Sequence, residues 1–122
     1  MNFDYNEEQQ LLADSVKRFI GKDYAFEARK KIVESQAGMS DSVWATFAEM
    51  GLLGLPIQPD YDGFGGGALD MMGIMESIGE GLVVEPFLAT TMGAQFVARG
   101  GKAAMKKAVL RAVVKGKLKL AF

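Results

Sequence analysis

The sequence has no cysteine and no histidine. Without cysteine there can be no disulfide, no thiolate nucleophile and no sulfur ligand for a metal. Without histidine, neither a Ser–His nor a Cys–His pair can be assembled from this chain, and no imidazole ligand is available. Carboxylates remain, but none falls at the spacing of a calcium loop. No metal site and no catalytic residue is expected. Long apolar runs are also missing. The longest uncharged stretch, Pro86–Ala98, has 13 residues, whereas a membrane span needs about 20. The first ten residues are polar and acidic rather than basic and then apolar, so no secretory signal is expected. The expected location is the cytoplasm. Finally, acids are absent from residues 99–122. That segment holds eight bases (Arg99, Lys102, Lys106, Lys107, Arg111, Lys115, Lys117 and Lys119), while residues 1–98 hold all 15 acids.

With 122 residues, one domain is expected. Hydrophobic residues at 49% against 24% charged place the chain with soluble globular proteins rather than disordered ones. The pattern is helical. Asn6 followed by Gln9 has the spacing of a capping box, and Leu11, Leu12, Val16, Phe19 and Ile20 follow at helical intervals. Gly21 reads as a stop or kink. A second helix is expected over 23–34, with Tyr24, Ala28 and Ile32 on one stripe. A third starts at Ser40 or Asp41, carries Val43, Trp44, Phe47 and Met50, and ends at Gly51. Residues 69–78 read as a fourth helix closed by Glu80–Gly81. From Glu85 to Arg99 the chain is almost wholly apolar, which predicts an interior helix, with Pro86 in its first turn. A last helix is expected over 102–115. The terminal KGKLKLAF then alternates with the period of a strand. The fold class is therefore all-α: a bundle of about five to six helices with a short terminal strand. The expected divisions are a helical domain over 1–116 and, over 117–122, the start of a β domain that is otherwise missing.

The glycine-rich stretch GLLGLPIQPDYDGFGGG (51–67) has two readings. A P-loop would need Lys-Ser or Lys-Thr after its glycines, and none is present. A dinucleotide fingerprint needs G-x-G-x-x-G between a strand and a helix. Gly63, Gly65 and Gly66 lack that spacing, and the preceding element is helical. Asp60 and Asp62 would also repel a phosphate. The glycines read instead as a tight turn passing close to neighbouring helices.

Taken in order, Trp44-x-x-Phe47-x-x-Met50-Gly51-Leu52-Leu53-Gly54-Leu55, then Pro59-Asp60-Tyr61-Asp62-Gly63-Phe64-Gly65-Gly66-Gly67, then Glu76-x-x-Gly79, resemble the N-terminal helical domain of acyl-CoA dehydrogenases. Asn6 to Gln10 and the spaced Gly100-Gly101, Lys106, Leu110 and Gly116 match as well. Asp60 stands where the family usually has Glu, and Ser77 where a second Glu is common. The wording EPFLATT (85–91) is similar to small subunits of pimeloyl-CoA-type dehydrogenases.

The resemblance implies a parent built as a helical domain, a β-barrel domain and a second helical bundle. In such enzymes FAD lies between the last two, and the glutamate that takes the α-proton lies in the final bundle. This chain would then be a domain or fragment of an FAD-dependent acyl-CoA dehydrogenase, inactive alone, with no cofactor expected on it. Its implied share is a wall for the acyl group, with Phe87, Leu88, Thr91 and Met92 as substrate-facing residues. The implied partners are the acyl-CoA substrate, the rest of the same polypeptide, and further copies or a larger subunit in a homo- or hetero-oligomer.

Blander readings stand beside these. The residues at 87–92 also suit plain core packing, and Met71, Met72 and Met75 suit flexible core filler. Glu76 and Glu80, four apart, have the spacing of an acid/base pair, but exposed helical acids are the simpler reading. The basic residues of 99–122 raise a nucleic-acid binder, yet no stacking aromatic lies in 99–121; a solvated helix face is simpler and no nucleic-acid partner is expected. A non-catalytic helical interaction module is the remaining alternative.

Overall fold

In the computed structural model, which describes residues 2–122, every regular element is helical. The elements are α1 (Glu7–Asp23), α2 (Phe26–Glu34), α3 (Asp41–Glu49), a 3-10 turn (Pro59–Tyr61), α4 (Ala68–Glu80), α5 (Phe87–Gly100) and α6 (Ala103–Val114). Contacts divide the chain into two compact units: Met1–Ser40 with Ala68–Val84, and Asp41–Gly67 with Glu85–Phe122.

In the first unit, α1 opens with the capping box expected from Asn6 and Gln9. The Gln9 amide donates to the Asn6 side chain at 2.8 Å, and the Gln9 side chain accepts from the Asn6 amide at 2.9 Å. The same Gln9 side chain donates to Asp70 Oδ1 at 2.8 Å, joining the starts of α1 and α4. Ala13 and Val16 form the buried stripe of α1. Gly73 of α4 allows the close approach, since a Cβ there would lie 3.2 Å from the Ala13 methyl and 3.3 Å from the Tyr5 ring. Helix α1 does not stop at Gly21. It continues to Asp23, and the Tyr24 amide closes it on the Ile20 carbonyl at 3.0 Å. Tyr24 accordingly lies outside α2 rather than on its stripe. It is buried, and its hydroxyl accepts from the Val84 amide at 3.0 Å.

In the second unit, α3 buries Val43, Trp44 and Phe47. Phe47 sits edge-on between Trp44 and Phe87, at 6.3 and 5.9 Å between ring centroids. Full burial of such side chains contributes about 1.5–3 kcal/mol each. Gly51, at φ +77°, ends α3 as expected. Leu52, Leu53 and Ile57 of the following turns join this core, with Leu110 and Val113 of α6.

The all-α class stands, but the expected terminal strand is not formed among the described residues. Residues 117–122 belong to no helix or strand. A strand needs a ladder partner, and here the Leu120 amide is taken by a side chain, the hydroxyl of Thr90, at 3.0 Å.

Candidate functional site

The glycine-rich stretch is a self-satisfied turn. The amides of Gly63, Phe64, Gly65 and Gly66 donate to the carbonyls of Gln58, Gly54, Ile57 and Leu55 at 2.7–3.1 Å. A phosphate cradle must present such amides outward, toward the ligand. Here they are used internally, so these residues do not fit the phosphates of a flavin or a nucleotide. Asp62 sits at φ +68° and lies 3.6 Å from Arg111 Nε of α6.

Helix α5 carries all four residues expected to face a substrate, and the structure separates them. Its buried side consists of Phe87, Thr90, Gly93 and Ala94. Phe87 is therefore in the core of its unit, edge-on to Phe47. Leu88 is 54% exposed and Met92 38%, with Thr91 half-buried beside them. Phe96, which the sequence reading did not single out, extends the row at 55% exposure. Positions 88, 92 and 96 are one turn apart, so they form a single apolar stripe roughly 12 Å long at the helical rise. The expectation of a helix buried on all sides is thus corrected. Within this chain α5 buries one face, because Thr90 and two small residues, Gly93 and Ala94, form the side that meets neighbours. Composition alone reported apolarity, not which side is covered.

The methionines of α4 divide in a similar way. Met71 is buried, whereas Met72 is exposed and Met75 half-buried. With Asn2, Phe3, Ala68 and Leu69 they line an open apolar hollow of about 610 Å³ in the first unit. The core-filler reading therefore holds for Met71 and not for the exposed Met72. Glu76 and Glu80 are both exposed on α4. Among the described residues no group of three or more acids is arranged to hold a metal, and no helix is long and apolar enough to cross a membrane.

The family model for the N-terminal domain of acyl-CoA dehydrogenases matches residues 6–117. Among curated proteins, the chain is 32% identical over 88 residues to the acyl-CoA dehydrogenase IpdE2 of Mycolicibacterium smegmatis, covering 71% of this chain and 28% of that protein. It is 30% identical over 80 residues to the probable acyl-CoA dehydrogenase YngJ of Bacillus subtilis, covering 66% of this chain and 20% of the relative. The chain thus spans between a fifth and a third of the length of these relatives. Among solved structures, the ChsE4-ChsE5 complex from Mycobacterium tuberculosis superposes with a TM-score of 0.88 at 20% identity, over 99% of this chain and 34% of that one. A variant of the Tcur3481-Tcur3483 steroid ACAD superposes with a TM-score of 0.87 at 23% identity, over 94% of this chain and 32% of that one. At such identities these likenesses concern the fold.

Proposed function

Because the chain belongs to the acyl-CoA dehydrogenase family, as its N-terminal helical domain, we propose that it serves a flavin-dependent acyl-CoA dehydrogenase that oxidises an acyl-CoA thioester to the 2,3-enoyl-CoA. That reaction removes a proton from the α-carbon and a hydride from the β-carbon. In this reading the base and the FAD are supplied outside these 122 residues, and the chain alone is inactive. The assembled enzyme is a cytoplasmic homo- or hetero-oligomer.

The share assigned to this chain is a wall for the acyl group. One observation carries it: α5 leaves Leu88, Met92 and Phe96 exposed in one stripe, backed by a buried aromatic core. Apolar side chains on a fixed helix exclude water and hold a flexible acyl group in line with reacting groups, where small misplacements are costly. Leu88 and Met92 form the surface of the wall, Thr91 flanks it, and Phe87 supports it from beneath through Phe47.

The test is a substrate series. In the assembled flavoenzyme, Leu88→Trp and Met92→Trp are expected to lower kcat/KM about tenfold or more for bulky or long acyl-CoAs. That loss corresponds to the roughly 1–3 kcal/mol a mismatched apolar contact costs. The shortest acyl-CoA should be affected far less. An equal loss across the series, or none, would remove the wall. If the same variants instead weaken subunit association with catalysis intact, the stripe belongs to a non-catalytic helical interaction module.

A further inference from the structure

Residues 117–122 make several specific contacts without belonging to any helix or strand. Lys119 Nζ lies 2.9 Å from Asp41 Oδ1, at the start of α3, and 5.7 Å from the centroid of the Trp44 ring. One residue on, Leu120 is held through its backbone at both ends. Its amide donates to Thr90 Oγ1 at 3.0 Å, and its carbonyl lies 3.4 Å from the same hydroxyl, which donates to it. Thr90 is fully buried. Leu120 reaches it because α5 has glycine at position 93, where a Cβ would lie 3.0 Å from the Leu120 Cβ. Phe122 then meets Phe96 edge-on at 5.5 Å. The turn into this segment is Gly116, at φ +72°, where a Cβ would come within 2.8 Å of the Ala48 methyl.

A charged contact on α3, a backbone clasp on α5 and a ring pair on α5 thus act within six residues. Among the described residues none belongs to a ladder, and within this chain the segment is held by a few side-chain contacts. The buried hydroxyl of Thr90 is the central one, since losing it would leave the Leu120 amide without that acceptor.

We propose that residues 117–122 form a latch that ties α5 to α3 and sets Phe96 and Phe122 as one edge of the acyl wall, with Thr90 and Lys119 as its positioning residues. The latch stands on these contacts alone; its effect on substrate rests on the acyl-wall reading above. Neither residue touches substrate in this scheme. Each acts by fixing where the aromatic edge lies.

Two readouts separate the two parts. The first needs no activity: hydrogen exchange of the Leu120 amide, and emission from Trp44, the one tryptophan. Thr90→Val should lower Leu120 protection at least tenfold while the amides of α3 keep theirs, and Thr90→Ser should restore it. Lys119→Gln should shift Trp44 emission to the red. The second readout is kinetic, in the assembled flavoenzyme. Thr90→Val should raise KM for acyl-CoA severalfold with a smaller change in kcat, and Thr90→Ser should return both toward the parent values. Unchanged Leu120 exchange in Thr90→Val overturns the latch. An opened latch with unchanged KM overturns its positioning role, while the acyl wall is judged separately by Leu88→Trp and Met92→Trp. Should Thr90→Val fail to fold, the partly exposed Lys119→Gln carries both readouts.

Discussion

Two glycines show how differently one residue type can be constrained. At Gly63 a Cβ would lie 2.0 Å from the Ile57 carbonyl oxygen, which itself accepts the Gly65 amide at 2.8 Å. Neither atom is a flexible side-chain end, so the backbone itself would have to move. Gly21 is helical, exposed, and has nothing within 4 Å of its missing Cβ. Opposite signs are therefore expected on substitution. Gly63→Ala should destabilise by about 1–3 kcal/mol, the range of changes that force strain on a packed turn. Gly21→Ala should stabilise by about 1 kcal/mol, because alanine restricts the unfolded chain and favours the helix. Urea denaturation of both variants checks the pair; a neutral Gly63→Ala would mean that the turn is not tightly packed.

At the scale of elements, the start of α1 is the clearest case of local chemistry setting structure. Asn6 and Gln9 satisfy each other's amides, and Gln9 also reaches Asp70 across to α4. Asn6→Ala should cost about 1 kcal/mol, the usual effect of removing a cap. Gln9→Ala should cost more than a cap alone, because it removes the tie to α4 as well; thermal melts of the two variants would show the order. The capping box, the Gly51 stop and the helical intervals of α3 were legible in the sequence because each depends on residues within one or two turns. Gly21 was misleading because a glycine's cost in an exposed helix is small beside the closure that Tyr24 supplies. The outer face of α5 was not legible, since an almost wholly apolar run carries no phase to say which side is covered. The placement of the tail was not legible for a related reason. The alternation of Lys117 to Leu120 has the period of a strand, but a strand also needs a ladder. The acceptor here is Thr90, 30 residues away and inside a helix. Phe96 was not singled out because its partner, Phe122, is also remote in sequence.

At the scale of the whole molecule, two unsatisfied features compete to decide how the chain behaves alone. One is electrostatic. Arg111 and Lys119 are paired with Asp62 and Asp41, but the remaining bases of 99–122 stand on and around α6 with no acid among residues 99–122. The other is apolar: the α5 stripe of Leu88, Met92 and Phe96. Contiguous exposed apolar surface of this kind marks an interaction site in a soluble protein. Salt distinguishes the two, since it screens contacts between exposed charges beyond about 10 Å at 0.1 M but does not weaken apolar association. The 122-residue chain is expected to self-associate with rising concentration, and to do so at least as strongly in 0.5 M salt as in 0.05 M. Leu88→Lys combined with Met92→Lys should return it to a monomer, whereas Lys106→Glu combined with Lys107→Glu should leave association unchanged. Sedimentation velocity over a concentration series gives the answer directly. Association that dissolves in high salt would move the interface from α5 to α6, and a parent chain that stays monomeric would mean that the stripe needs no cover.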